Sequence, residues 1–398
     1  MQSKVYKILS YGSLAVAVVL MAAATVIERL HGTEAALSRI YHHPVFFALW
    51  AVMAVAGMIL LVRRVPLRRP ATLLLHVALV LVLAGALVTH LSGRSGSIHL
   101  RDGEPAAAFE QEDGTTVDLP FTLTLKEFRI EHDPGTSNVA DYISELDCDG
   151  TAVTISMNHI FKRDGYRFYQ ADYDEDGHGS ILAVSRDPWG VGITYTGYLL
   201  LLLSMIGYFF EKDTVRTQLR QGRKPGRGRK VWTLVLSLAG AGILAAWFLG
   251  AFPKGPLMPV LRSPLLFIHM IPIIVSYALF ALAAILGIVG LLLPADRSAR
   301  LQTVSWRLLL PAVFLLTFGT FLGGVWANIS WGNYWAWDPK ETWALITLLV
   351  YSVALHGTAV GLFRKPKVFH TFCILAFLAV LVTYFGVNLL LGGMHSYA

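Results

Sequence analysis

Long apolar runs separated by short polar segments dominate the pattern of this 398-residue chain. A helix needs about 18 or more largely uncharged residues to cross roughly 30 Å of hydrocarbon. Nine stretches have this length and character, at residues 8–27, 45–62, 71–91, 191–210, 231–251, 267–293, 307–327, 342–363 and 368–390. The pattern therefore predicts a polytopic α-helical membrane protein with about nine transmembrane helices.

Between the third and fourth stretches, about residues 92–190, the periodicity changes. The segments "TVDLPFTLTLKEFRI", "TAVTISM" and "GYRFYQADY" alternate apolar and polar residues, which predicts a small β-rich domain. The turn "DYDEDGHG" places Asp172, Asp174 and Asp176 like the first ligands of a calcium loop, but Ala183 stands where a bidentate Glu belongs. We therefore interpret this turn as a hairpin connection rather than a metal site.

Short loops on alternate connections are basic, at residues 63–70, 211–230, 294–306 and 364–367. The positive-inside rule makes them cytoplasmic, together with the N-terminus. The C-terminus and the β-rich domain are then extracytoplasmic, and the first stretch is interpreted as an uncleaved anchor.

The linker at 211–230 separates two predicted units. Residues 1–210 hold four transmembrane helices and the β-rich domain, and residues 231–398 hold five transmembrane helices. The 211–230 segment is rich in Gly, Arg and Lys, which is typical of a joint between two units.

Charge and cysteine content restrict the possible functions. The net charge is +7, yet residues 92–190 hold 19 acidic and 8 basic residues, so the basicity belongs to the cytoplasmic loops. We therefore expect the chain to contact membrane lipid and to bind no nucleic acid. Cys148 and Cys373 are the only cysteines, so the chain has no Cys-x-x-Cys motif of its own and we expect no disulfide between them.

Two histidines are predicted at one depth near the cytoplasmic face. His76 lies five residues inside the third stretch, and His356 lies seven residues before the cytoplasmic end of the eighth. At 1.5 Å per residue they are about 8 and 10 Å from the same face. Helix–helix hydrogen bonding explains either histidine alone equally well, but the matched depths favour a bis-His haem site.

A second pair is predicted at the outer interface. His269 opens the sixth stretch, and His395 follows the ninth in "GGMHSYA". On the same side, the segment about 328–341 contains "WGNYWAWDPKE", with three indoles and a phenol within seven residues. An ordinary interfacial belt spreads over many helix ends, so this concentration suggests a platform for a planar macrocycle.

The end of that segment also predicts a helix start. Asp338 is a favoured N-cap, Pro339 suits the first helical position, and Glu341 has capping-box spacing. The carboxylates therefore have a structural explanation that needs no acid catalysis.

These motifs resemble a known family. "WGNYWAWDPKE" is similar to the tryptophan-rich WWD motif of the haem-handling cytochrome c assembly proteins, and "PVLRSPLLFIHMIPIIVSYALFAL" and "YFGVNLLLGGMHSYA" resemble the CcsA branch. "LHVALVLVLAGALVTHLSGRSGSIHLRDGE" and "YRFYQADYDEDGHGSILAVSRDPWGVGITYTGYLLL" resemble the ResB (CcsB) partner. The whole resembles a fused system II cytochrome c synthase of a bacterial cytoplasmic membrane.

The resemblance implies an activity and its partners. Such a synthase exports haem b and joins it by thioethers to the Cys-x-x-Cys-His motif of apocytochrome c, with a thioredoxin-like thiol reductant as a further partner. It also implies residue roles, namely iron ligation at both levels and a catalytic WWD segment. The residues so implied are His76, His356, His269 and His395 as axial ligands, and Trp331, Trp335, Trp337 and Asp338 in the WWD segment.

Two other functions share part of this pattern. A quinone-reactive di-haem cytochrome b is suggested by the fourteen-residue spacing of His76 and His90, but His356 and His370 lie on opposite sides of "RKPK" and provide no second such helix. A haem exporter without ligation activity would need every one of the predicted ligands. Only a synthase would produce thioether-bound haem.

Overall fold

The computed structural model describes residues 2–111, 113–211, 263–357 and 361–392. The described residues divide into two compact units, of which the first comprises 2–93, 187–205, 264–357 and 361–392 and the second comprises 94–111, 113–186, 206–211 and 263. The predicted fifth transmembrane stretch, nearly all of the predicted linker and His395 lie outside the described residues.

The first half contributes four long apolar helices to the fold. They are α1 (Gln2–His31), α3 (Pro44–Arg64), α4 (Pro70–Ser92) and α5 (Gly190–Tyr208), with a short α2 (Thr33–Ala36) and a π-helical turn (Leu37–Tyr41) between α1 and α3. Pro44 and Pro70 stand in the first turns of α3 and α4, where a missing N–H leaves no bond unmade.

The second half contributes the remaining helices of the described residues. They are α6 (Pro264–Leu292), α7 (Ala295–Ser330), α8 (Pro339–Leu355) and α9 (Pro366–Leu381), with a 3₁₀ turn (Gly361–Arg364) before α9 and a π-helical continuation (Val382–Leu391) after it. Seven helices of the described residues are long and apolar enough to cross a membrane, which confirms the polytopic fold class.

Helix α8 is shorter than the predicted stretch 342–363. It has 17 residues and ends at Leu355, with His356 as its C-cap. Gly357 follows and lies against the indole of Trp306, where an added Cβ would be 2.6 Å from Cη2. A glycine at this point is typical of a helix end, so apolar composition alone overestimated the length of the helix.

Helices α4 and α5 approach each other closely because small residues line their contact. An ideal Cβ on Gly85 of α4 would lie 2.7 Å from the backbone nitrogen of Thr194, and one on Gly197 of α5 would lie 3.0 Å from that of Val82. Close backbone approach of this kind is how helices associate where lipid removes the hydrophobic driving force.

Helices of the two halves share one core in the first unit. Met21 of α1, Tyr41 of the π-helical turn and Phe46 of α3 pack in a buried cluster with Ile346 of α8. The Trp343 indole also donates a hydrogen bond of 3.2 Å to Thr25 Oγ1 of α1. The membrane helices before and after the predicted linker therefore form a single packed body.

The second unit contains the predicted β-rich domain. Its described residues form one eight-stranded antiparallel sheet in the order β5-β4-β3-β2-β1-β8-β7-β6. The strands are β1 (Arg94–Arg101), β2 (Pro105–Gln111), β3 (Thr116–His132), β4 (Val139–Cys148), β5 (Thr151–Ser156), β6 (Phe161–Arg163), β7 (Tyr166–Tyr173) and β8 (Gly179–Arg186). Alternate residues of these strands form a buried apolar core, as the period-two pattern predicts.

The acidic turn connects β7 and β8, which pair as a hairpin. Asp174 accepts hydrogen bonds from the Arg101 guanidinium at 2.6 Å and from His99 Nε2 at 2.9 Å, and Asp176 accepts one from Arg101 at 2.7 Å. The hydrogen bond from His99 is the main reason that the pKa of Asp174 falls below its ordinary value. Asp174 and Asp176 are thus engaged with side chains of β1.

Candidate functional site

The structure brings His76 and His356 together from the two halves of the chain. His76 lies on α4, His356 caps the end of α8, and their ring centres are 5.9 Å apart with the ring planes at 83°. His356 is exposed and His76 is partly buried. The prediction that these two residues lie at one depth agrees with this contact.

Three histidines predicted as ligands hold their rings in the same way. His76 Nδ1 donates to the carbonyl of Thr72, His269 Nδ1 to that of Leu265, and His356 Nδ1 to that of Ser352, each at 2.8 Å. A carbonyl can only accept, so in the neutral ring the proton is on Nδ1 and the lone pair is on Nε2. A neutral imidazole fixed through one nitrogen is the usual state of an iron or zinc ligand.

The separation of the inner rings can be compared with iron ligation. For metal–nitrogen bonds of about 2.0 Å, two imidazoles on opposite sides of one metal have ring centres about 6 Å apart. The observed 5.9 Å between His76 and His356 is close to this value. The residues present therefore fit the haem iron of the predicted inner site.

A second level lies at the other end of α4. Tyr334 of the tryptophan-rich loop is buried, and its hydroxyl donates to Thr89 Oγ1 at 2.9 Å, while Thr89 donates to Asp187 Oδ2 at 2.6 Å. Thr89 is 13 residues from His76, which corresponds to about 20 Å along the helix. Burial raises the pKa of the Tyr334 phenol above its ordinary value.

The start of α8 has the predicted cap. Asp338 is the N-cap, its carboxylate accepts from Lys340 N at 2.9 Å, and Pro339 occupies the first turn. Glu341 departs from the capping-box expectation because its Oε2 accepts from Ala336 N at 2.9 Å, two residues before the cap. Both carboxylates thus fix the backbone of the loop to the helix.

The tryptophans of the loop do not form one shared platform. Trp337 stacks on Tyr41 with ring centres 4.4 Å apart at 15°, and Trp335 meets Trp337 edge-on at 5.7 Å. Trp331 meets Trp326 of α7 edge-on at 4.7 Å. One face of Trp337 is therefore covered by the first half of the chain.

The backbone φ angle of Trp337 is 61°, which is uncommon for a bulky residue, and such strain is concentrated at functional sites.

His269 lies at the level of Trp331. It is buried, and its ring stacks on Trp326 with centres 5.6 Å apart. Its ring is also close to Gly323 of α7, where an added Cβ would lie 3.1 Å from His269 Cδ2. Its predicted partner, His395, lies outside the described residues, so the outer pair remains a prediction.

Two further histidine contacts bear on the alternatives. His90 contacts His42 with ring centres 5.0 Å apart, a pairing that the sequence reasoning did not foresee because it placed no chemistry in the turn between α1 and α3. His370 is fully buried on α9 and donates from Nε2 to the carbonyl of Ser298 at 3.0 Å. His356 and His370 are thus on different helices and do not provide the second helix with fourteen-residue histidine spacing that a di-haem cytochrome b needs.

Comparison with family models gives two matches that together span most of the chain. The model described as Cytochrome C assembly protein matches residues 197–395, which is half of the chain. The model described as ResB-like family matches residues 47–185. The first match contains the tryptophan-rich loop and His356, and the second contains His76.

Curated relatives agree with the first match. Protein NrfI of Wolinella succinogenes is 43% identical over 152 residues, which is 36% of this chain and 17% of that protein. The cytochrome c biogenesis protein CcsA of Chlamydomonas reinhardtii is 38% identical over 154 residues, or 36% of this chain and 43% of the relative. CcsA of Nostoc punctiforme is 48% identical over 99 residues, or 24% and 27%. The matched segments thus span less than half the length of these relatives.

The chain belongs to the cytochrome c assembly protein family and joins a ResB-like and a CcsA-like half in one system II polypeptide.

Proposed function

We propose that this chain is a holocytochrome c synthase that moves haem b across a bacterial cytoplasmic membrane and attaches it to apocytochrome c. The observation that carries the proposal is the contact between His76 and His356 at 5.9 Å. The ResB-like match supplies one ring and the cytochrome c assembly match supplies the other. A ligand pair divided between two families is expected if the fused halves act on one haem.

The inner pair takes up haem in this scheme. Nδ1 of His76 and of His356 is held by a backbone carbonyl, so Nε2 is the nitrogen that would bind iron. Four arginines, Arg63, Arg64, Arg68 and Arg69, precede α4 on the side where His76 lies. Basic residues at that end make it cytoplasmic by the positive-inside rule. The N-terminus is then cytoplasmic, and the tryptophan-rich loop and C-terminus are extracytoplasmic.

At the other level, the protein has mainly a positioning task. In each attachment, a client Cys thiol adds across a haem vinyl group, so a carbon–sulfur bond forms and the thiol hydrogen passes to the second vinyl carbon. No oxidant or reductant is consumed. His269 and His395 would hold the iron, and residues 331–338 would form the wall beside it. Asp338 acts here as a helix cap, and it supports the geometry of Trp331, Trp335 and Trp337 rather than transferring a proton.

The chemistry also implies what the partners must supply. The vinyl groups that form thioethers are those of haem b, and the client must present reduced thiols in a Cys-x-x-Cys-His motif. Because this sequence has no Cys-x-x-Cys, a separate thioredoxin-like reductant is needed to keep the client thiols reduced.

Co-production with an apocytochrome c tests the activity. The host lacks its own cytochrome c maturation genes, and haem that survives denaturing electrophoresis reports thioether bonds. We expect covalent haem with the unaltered chain, and at least a tenfold loss with His76→Ala or His356→Ala, because each variant lacks one axial ligand.

The matched control is His43→Asn. His43 is exposed, and its Nδ1 accepts the Val45 N–H as the N-cap of α3, a role that Asn can fill. The control should retain normal ligation. Haem that crosses the membrane without becoming covalent would instead identify an exporter, and covalent haem in both single variants would refute the inner site.

A further inference from the structure

An exposed histidine pair lies at the end of α4 opposite His76. His42 directly follows the π-helical turn before α3, and His90 stands in the last turn of α4. Their ring centres are 5.0 Å apart with the planes at 46°, and Phe47 packs on His90 at 4.8 Å. Two segments that are distant in sequence thus bring two imidazoles together on an accessible surface.

The pair adjoins the tryptophan-rich loop on both sides. The residue before His42 is Tyr41, which stacks on Trp337, and the residue before His90 is Thr89, which accepts from Tyr334. The loop is therefore attached to the first half at two points, and each point is followed directly by one of the histidines. This location is about 21 Å from the His76 level, the rise of fourteen helical residues.

The ring separation distinguishes between two kinds of metal ligand. Metal–nitrogen bonds of about 2.0 Å give ring centres about 6 Å apart for ligands on opposite sides of a metal, and about 5 Å apart at a tetrahedral angle. The observed 5.0 Å matches the second arrangement. In haem the porphyrin nitrogens fill the four equatorial positions, so two protein ligands must stand on opposite sides. The spacing of this pair is thus closer to that of a tetrahedral ion than to that of haem iron.

We propose that His42 and His90 bind a divalent first-row transition-metal ion, such as Zn²⁺ or Cu²⁺, beside the outer face of the loop. Imidazole is a preferred ligand of these ions. His43 does not contribute, because its Nδ1 accepts the Val45 N–H and its neutral ring then carries the proton on Nε2. No group of three or more His, Cys, Asp or Glu side chains in the described residues is arranged for a metal. His42 and His90 are the two ligands that the described residues supply to this ion.

Cu²⁺ binding to the purified full chain tests this site. The protein carries no histidine tag, and His76→Ala and His356→Ala are present in every sample to remove the inner pair. We expect an electron paramagnetic resonance signal with nitrogen hyperfine structure from two imidazoles. His42→Ala and His90→Ala should each weaken this binding at least tenfold, and the variant with both changes should bind no more weakly than the single ones.

His43→Asn is the control because it is a neighbouring exposed histidine whose capping role is kept. Equal loss in this control, or retention of the parent affinity in either single variant, overturns the proposal. Absence of Cu²⁺ bound to imidazole in the parent also overturns it. None of these readouts depends on haem transfer, so the result is separate from that of the proposed synthase activity.

Discussion

At the scale of single residues, a shared hydrogen bond distinguishes the predicted ligands. His76, His269 and His356 each donate from Nδ1 to the carbonyl four residues earlier, whereas His370 uses Nε2 and packs inside the protein. In the first arrangement Nε2 is the nitrogen that can bind iron. In His370 this nitrogen is already engaged with the carbonyl of Ser298. The sequence identified these residue types, but only the ring orientation separates a candidate ligand from a histidine that serves helix packing.

Gly323 gives a prediction about the outer level. An added Cβ would lie 3.1 Å from His269 Cδ2, so Gly323→Ala must displace that ring by a few tenths of an ångström. We expect less haem at the outer level, measured by absorbance of the purified chain, while the inner haem stays unchanged. Replacing glycine by alanine inside a helix normally raises the free energy of unfolding by up to about 1 kcal/mol. Thermal unfolding of Gly323→Ala should show no such increase.

Gly12→Ala on α1 is the matched change, because an added Cβ there has nothing within 4 Å. This variant should show the helix-propensity gain and normal haem content. If Gly323→Ala behaves like Gly12→Ala in both measurements, the Gly323 contact does not position His269 for haem.

At the scale of elements, the loop at 331–338 and helix α8 form one structural piece. Local rules predicted the part of it that depends on neighbouring residues, including the Asp338 cap and Pro339 in the first turn. The same rules were silent on the stacking of Trp337 against Tyr41 and on the bond from Tyr334 to Thr89, because these partners lie hundreds of residues away. The idea of a shared indole platform came from counting aromatic residues, and it missed that each ring has its own neighbours.

The role of Asp338 as a cap can be separated from a role as an acid. Asp338→Ala removes the acceptor for Lys340 N and should reduce the free energy of unfolding by about 1 kcal/mol and lower haem ligation. Asp338→Asn keeps an N-cap of similar strength, so most stability and ligation should remain. Thermal unfolding and covalent haem yield measure the two effects. Equal loss of covalent haem in both variants would point to proton transfer by Asp338.

At the scale of the whole molecule, the two halves share their membrane core. Hydropathy predicted the transmembrane stretches, and period-two alternation predicted the sheet, because both are local averages over many residues. The grouping of α1 and α3 with α8 was not visible in this way, because it depends on side-chain contacts such as Trp343 with Thr25. Only the depth argument for His76 and His356 anticipated one such contact across the halves.

The central claim is that one haem is held jointly by the two halves, and haem content tests it most directly. The full chain is purified as the unaltered protein, as His76→Gly, as His356→Gly and with both changes. Haem per chain and the low-spin spectrum of bis-imidazole ligation are then measured with and without added imidazole.

We predict that each single change lowers the inner haem content per chain at least tenfold and that added imidazole restores this content. Without imidazole, the double change should cause no further loss. These results are expected because one iron needs both rings at once. A single variant that keeps the full haem content and the bis-imidazole spectrum without added imidazole would contradict the account.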